Sequence, residues 1–116
     1  MGNTLPKRER LHSKSDIDAL LSKGRFFPAG EMKYCVRKGT GESVNRILIS
    51  VSKKFFRRAV KRNLLKRRIR EAYRTRKNLL EGGGTDILFV YSTKEVLSYE
   101  RIAAIVEGIL LSVSKS

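Results

Sequence analysis

At 116 residues with 41 % hydrophobic side chains, the chain is long enough for one domain with a real core and short for two. Its 26 Lys and Arg against 11 Asp and Glu leave a formal net charge of +15, which points to a polyanionic partner. The single cysteine, Cys35, excludes an intrachain disulfide framework and a cysteine-based zinc cluster, and no apolar run approaches the roughly 20 residues of a membrane span.

Residues 1–12 carry Lys7, Arg8 and Arg10 and read as a flexible basic arm. No apolar stretch follows them, so no signal peptide is expected, and Pro6 stands where a myristoylation motif wants Ser or Thr. Residues 13–22 have helical spacing in Ile17, Leu20 and Leu21, with Ser13 or Ser15 as cap, Asp16 in the first turn and Gly24 as the stop. Arg25-Phe26-Phe27 begins a strand that Pro28 and Gly30 should end. Residues 31–38 alternate, with Met32, Tyr34 and Val36 on one face and Lys33, Cys35 and Arg37 on the other. Gly39-Thr40-Gly41-Glu42 is turn chemistry, and Arg46 to Ser52 is the expected partner strand.

A long helix is expected from Arg58 to Leu80. At 100° per residue, Leu65, Ile69, Ala72, Tyr73 and Leu80 share one arc. Asn63, Lys66, Arg67, Arg70, Arg74 and Lys77 fall on the opposite arc. Glu81-Gly82-Gly83-Gly84 turns the chain into Asp86–Tyr91, a continuous apolar run that reads as a central strand. Ser92 or Ser98 caps a last helix whose apolar face is Ile102, Ile105, Val106, Ile109, Leu110 and Val113. Gly108 inside it either costs about 1 kcal/mol or permits close packing. The order α-β-β-β-α-β-α gives an α+β, single-domain αβ sandwich over residues 1–116, with helices on one side of the sheet and an open face on the other.

The charge is not spread evenly. Half of the 26 basic residues lie between Lys53 and Lys77, with Glu71 the only acid in that window. Solvated helix faces usually mix signs to gain pairs at i,i+4, so a single-sign stripe suits a phosphodiester backbone. Arg predominates there, and its planar fork binds phosphate bidentately and stacks on bases. Asn63 adds a donor and an acceptor. Elsewhere little chemistry is visible. His12 is the only histidine and reads as part of the basic surface, Cys35 and Tyr73 read as packing residues, and Asp16 and Asp18 read as helix-terminal carboxylates rather than a metal pair. The triple glycine precedes a strand, so it is no phosphate loop. No nucleophile–base set is present, and neither catalytic nor metal-ligating residues are assigned.

The run Ser50-Val51-Ser52-Lys53-Lys54, followed by Lys61-Arg62-Asn63-x-x-Lys66-Arg67-x-x-Arg70-Glu71, resembles the signature of the bacterial ribonuclease P protein subunit. Leu5-x-Lys7-x-x-x-Leu11, Asp16-Ile17, Leu20-Leu21-x-x-Gly24 and Asp86-Ile87-Leu88-Phe89-Val90 are similar to that family too, so the likeness runs from residue 5 to 91. The resemblance implies a ribosomal-protein-like sandwich with a left-handed βαβ crossover at the basic helix, against the usual hand. It implies a cytoplasmic RNA-binding subunit, monomeric within a ribonucleoprotein, with no membrane association. Its partners would be the catalytic RNA and the 5′ leader of precursor tRNA. The reaction would be Mg²⁺-dependent endonucleolytic removal of the leader in tRNA 5′ maturation. The RNA would be the catalyst, and no cofactor would be bound by the protein.

Carried onto this chain, the RNA-binding set is Lys61, Arg62, Asn63, Lys66, Arg67, Arg70 and Arg74, with Lys53, Lys54, Arg57 and Arg58 before it. The leader cleft would draw on Ile17, Leu21, Cys35, Ser50 and Ser52, flanked by Lys7, Arg8 and Arg10. Some family members carry aromatics where this chain has Ile17, Leu21 and Cys35, which shifts the expected contacts toward Phe26, Phe27 and Lys33. Ile17 and Leu21 fit ordinary core packing equally well. Three other readings compete. One is a ribosomal-type RNA-binding protein with no role in cleavage. Another is a protein-only nuclease acting through Asp16, Asp18 or Glu71. The last, a DNA-binding helix-turn-helix, is disfavoured by the alternating strands.

Overall fold

The computed structural model describes residues 5–116; residues 1–4, part of the arm expected to be flexible, lie outside the described residues. Helix α1 spans Lys14–Lys23, strands β1, β2 and β3 span Arg25–Ala29, Met32–Arg37 and Arg46–Val51, helix α2 spans Ala59–Arg74, strand β4 spans Asp86–Tyr91, and helix α3 spans Tyr99–Lys115. Short 3-10 turns occupy Lys7–Glu9 and Lys77–Leu79. The sheet order is β1-β2-β4-β3.

The strand at 46–51 is not the neighbour of β2. The central place goes to β4, antiparallel to β2 and parallel to β3. Burial is the reason. The run Asp86–Tyr91 is apolar on both faces and needs cover on both, which an edge position cannot give. The crossover β3-α2-β4 therefore joins adjacent parallel strands.

Pro28 does not end β1 but lies inside it, opposite Lys33. β1 is an edge strand, where a missing N–H costs no ladder bond if it faces outward. At Gly30 the backbone adopts φ +60°, and the chain turns tightly into β2.

α2 and α3 cover one face of the sheet. The main core joins Met32, Tyr34, Ile47, Val51, Ile87, Phe89 and Tyr91 to Leu65, Ile69, Ala72 and Tyr73 of α2 and to Ile102, Val106, Ile109, Leu110 and Val113 of α3. The opposite face is not open throughout. α1 lies over its one end, where Leu11, Leu20, Cys35 and Leu88 form a second cluster with Ile17, Leu48 and Val90 packed against it. Ser13 occupies the cap position of α1 without a side-chain cap bond; its hydroxyl meets Ser15 Oγ at 3.1 Å. Ser98 does cap α3, accepting from the Arg101 N–H at 3.1 Å. A side chain at Gly108 would meet nothing, so close packing is not its role.

α2 stops six residues before the expected Leu80. The Thr75 hydroxyl bonds the carbonyls of Glu71 and Ala72, both at 3.2 Å, an alternative to continued helix, and the chain turns through Lys77–Leu79 instead. Nor are residues 5–12 a free arm. Leu5 and Leu11 are buried, Leu11 donates its N–H to Ile47 O at 2.8 Å, and Glu9 accepts from Lys77 Nζ at 2.9 Å. No described helix is long and apolar enough to cross a membrane.

Candidate nucleic-acid interface

The interface begins with a loop. Between β3 and α2, Phe56 turns inward and meets Tyr91 edge-on at 5.8 Å between ring centroids. That anchor leaves Lys53, Lys54, Arg57 and Arg58 exposed around it. The Ser52 hydroxyl accepts from the Lys54 N–H at 3.1 Å and tightens the turn. Phe55 is also exposed, at 39 %, in the middle of these cations. The sequence reading assigned it no role. The signal was available: of two adjacent phenylalanines beside one core, only one can face inward.

α2 starts at Ala59 with no side-chain cap and no carboxylate in its first turn. Its N–H groups and dipole therefore face Arg57, Arg58 and Lys61, an arrangement that favours an anion. The expected stripe is not uniform. Asn63 and Arg67 are exposed on the crest, and Lys61 is exposed in the first turn, on the side toward the buried arc. Arg62 is half-buried and donates Nη1 to the carbonyls of Phe56 at 2.7 Å and Arg57 at 2.8 Å, so it braces the loop onto the helix. Arg74 is paired with Glu71 at 2.6 Å; the pairing holds the Glu71 carboxyl below its usual range and adds no net charge to the stripe.

Lys66 and Arg70 lean to the other flank, toward the edge of β3. With Arg10, His12, Leu48 and Ile49 they line a groove of about 260 Å³ between α2, β3 and residues 10–12. Burial lowers the Arg70 pKa, and the neighbouring Arg10 lowers it further. The half-buried Arg70 guanidinium thus lies near that of the exposed Arg10, with no carboxylate bonded to either among the described residues. Arg10 spends Nε on Leu5 O at 3.0 Å. Arg10 was expected beside the leader cleft; the structure puts it with Lys66 and Arg70. The turn carrying Lys7 and Arg8 is tied by Glu9 to Lys77, so it too stands near the end of α2.

The second surface is the part of the sheet that α1 leaves uncovered. The strand registers place Phe26, Cys35, Leu88 and Leu48 in one row, and Pro28, Lys33, Val90 and Ser50 in the next. α1 covers Cys35 and Leu88 of the first row. Lys33 and Ser50 of the second are exposed, and Ser52 is half-buried just beyond them. Leu21 at 47 % and Phe26 at 52 % exposure offer apolar surface at the rim, and Ile17 divides its surface between the cleft and the core. Besides Lys7, Arg8 and Arg10, two expected cleft residues do not join. Cys35 has no exposed surface; its Sγ meets Leu20 O at 3.5 Å, and burial pushes the thiol pKa up. Phe27 follows Phe26 along the strand and so points to the opposite face, stacked on Tyr34 at 5.4 Å.

The cleft and the α2 surface flank the same edge strand, β3. Arg46 in β3 fixes α1 at this junction through Asp16 at 3.0 Å and reaches the buried Asp86 as well. This network was not foreseen, because its members are 30 and 40 residues apart.

Known proteins are similar to this chain in sequence and in fold. The family model described as ribonuclease P matches residues 5–113. The ribonuclease P protein component of Porphyromonas gingivalis is 44 % identical over 78 residues, which are 66 % of this chain but only 57 % of that one. The component from Borreliella burgdorferi is 36 % identical over 103 residues, 87 % of this chain and 86 % of its own. Among solved structures, the RNase P protein of Thermotoga maritima superposes with a TM-score of 0.77 at 25 % identity, covering 94 % of this chain and 98 % of that one. That of Staphylococcus aureus gives 0.76 at 25 % identity, with 92 % and 95 % covered.

Proposed function

The chain belongs to the ribonuclease P protein family, and on that premise we propose that it binds the catalytic RNA of ribonuclease P through α2 and holds the 5′ leader of precursor tRNA in the cleft beside α1. The observation that carries this reading is the crowding of Arg70 against Arg10 at the β3 edge, beside Lys66. A partly desolvated cation beside a like charge is costly alone and is relieved by an anion between the two. A phosphate there would also continue the line of Asn63 and Arg67 on the crest. The uncapped start of α2 supplies a second place for phosphate.

The cleft suits a single strand. Lys33 supplies charge, Ser50 and Ser52 supply hydroxyls, and Phe26 offers a ring face on which an unpaired base can stack. Leu21 and Ile17 give contact area without stacking. On this reading the protein sits between two anionic RNAs and lowers their repulsion, and the RNA carries out the hydrolysis with Mg²⁺. No cluster of three His, Cys, Asp or Glu among the described residues could hold a metal ion. Asp16 and Asp86 are held by Arg46, and Glu71 by Arg74.

The test is a binding titration of the protein with the catalytic RNA, followed by precursor tRNA with and without its leader. Tight RNA binding and a preference for the leader-bearing substrate are expected. Equal affinity for both substrates would contradict the cleft assignment, and failure to bind the catalytic RNA would contradict the whole reading.

A further inference from the structure

The loop between β3 and α2 exposes a phenylalanine on a backbone that is fixed on both sides of it. Before Phe55, the Lys54 N–H is held by the Ser52 hydroxyl at 3.1 Å. After it, the Phe56 N–H returns to the Ser52 carbonyl at 3.1 Å, and the Phe56 carbonyl accepts from Arg62 Nη1 at 2.7 Å. The Phe56 ring is buried against Tyr91. Phe55 itself is 39 % exposed and stacks on no other ring among the described residues.

A single exposed apolar side chain needs no explanation by itself. Its surroundings set this one apart. Lys53, Lys54, Arg57 and Arg58 are all exposed, and none forms an ion pair among the described residues. The hydrogen bonds of the loop run through its backbone, Ser52 and Arg62, not through these four side chains. A ring face for a base, with charge beside it for phosphates, is the combination that binds single-stranded nucleic acid.

Position selects which strand. The turn that carries Phe55 closes on Ser52, where the cleft residues of β3 end. A strand leaving the cleft past Ser50 and Ser52 therefore arrives at Phe55. Stacking also needs a base without a pairing partner, which a single-stranded leader supplies at every position.

We propose that Phe55 is a further leader-binding residue: one base of the 5′ leader, just beyond the cleft, stacks on its ring while the loop cations neutralise the phosphates on either side. Stacking reads the face of a base and not its edge, so the contact fixes the path of the leader without demanding a sequence. This inference rests on the leader-binding reading of the cleft.

The experiment uses the protein assembled with the catalytic RNA. The precursors carry no leader, a full leader, or a full leader with one abasic nucleotide at successive positions. Phe55→Ala should weaken binding of the full-leader precursor about tenfold and leave the leaderless one unchanged. Phe55→Trp should restore affinity, whereas Phe55→Leu, apolar but without a ring face, should not. At one leader position the abasic change and Phe55→Ala should be non-additive, the pair costing no more than either alone. Additive losses at every position, equal losses with and without a leader, or rescue by Phe55→Leu would overturn the proposal. So would an unchanged affinity in Phe55→Ala; if the unaltered chain still prefers the leader-bearing precursor, the cleft reading then stands alone. Absence of that preference in the unaltered chain would sink both.

Discussion

Arg46 and Asp86 form a two-pronged pair across β3 and β4: Nε donates to Oδ1 at 3.0 Å and Nη2 to Oδ2 at 2.9 Å. Asp86 has no exposed surface, and the third nitrogen of Arg46 reaches Asp16 in α1. One side chain thus ties the parallel strands to the helix that walls the cleft. Arg46→Met should cost about 3–5 kcal/mol in urea unfolding, because it strands a buried carboxylate. Adding Asp86→Leu should recover most of that loss, since neither charge then remains. A cost for Arg46→Met near zero would show that water reaches Asp86.

Gly24 controls how closely α1 approaches the sheet. A Cβ there would press on Leu20 O and come within 2.7 Å of Cys35 Sγ and 3.0 Å of Val36 O. Two of these neighbours are backbone carbonyls and the third is a buried thiol, so relief requires α1 to shift. Gly24→Ala is expected to destabilise by at least about 1–3 kcal/mol, the usual range for overpacking, and to weaken leader binding more than catalytic-RNA binding. A melting temperature equal to that of the unaltered chain would contradict this.

Adjacent arginines on α2 should behave oppositely. Arg67 is exposed and free of ion pairs among the described residues, so Arg67→Ala should lower the salt slope of RNA binding by about 1 and change stability by less than about 0.5 kcal/mol. Arg68 donates Nη1 to Leu97 O at 2.6 Å, linking α2 to the segment before α3. Arg68→Ala should cost about 1–3 kcal/mol and leave the salt slope alone. Arg70→Ala should lower the slope without loss of stability, because it removes a partly desolvated charge beside Arg10. Parallel salt titrations and denaturation curves of the three variants decide the matter.

One ion pair makes a pH-dependent prediction. Arg101 donates to Glu31 at 2.6 Å and holds its carboxyl below the usual 4.5. A carboxylate whose pKa is lower folded than unfolded adds stability above the unfolded value and loses it as pH falls through the folded one. The pair is exposed, so the effect on stability is small. Carboxyl resonances of Glu31 followed by NMR should show a midpoint below 4.5 that moves up in Arg101→Gln, the backbone hydrogen bond at Glu31 still holding it down in part. An unchanged midpoint in that variant would remove Arg101 as the cause.

Local patterns carried much of this fold. The alternation in 32–37, the apolar run 86–91 and the arc Leu65, Ile69, Ala72 and Tyr73 all found their place, because each depends on neighbours within a few residues. Pairing across the chain was not legible. Nothing local says that β4 separates β2 from β3, that Glu9 meets Lys77 from 68 positions away, or that α1 takes the second face. The split between Phe26 and Phe27 was legible in principle, since neighbours in a strand cannot share a face. The basic stripe was visible as charge. Its division into an exposed crest, the brace at Arg62, the neutralised Arg74 and the crowded Arg70 needed the loop, the turn and the N-terminal segment in place.

The most direct measurement is cleavage of precursor tRNA by a bacterial ribonuclease P RNA at low Mg²⁺, with and without this protein. The protein lowers repulsion between two RNAs on this account, so it should restore leader removal at a Mg²⁺ concentration where the RNA alone is nearly inactive, and it should cleave nothing without that RNA. Cleavage by the protein alone, or no rescue of the RNA at low Mg²⁺, would contradict it.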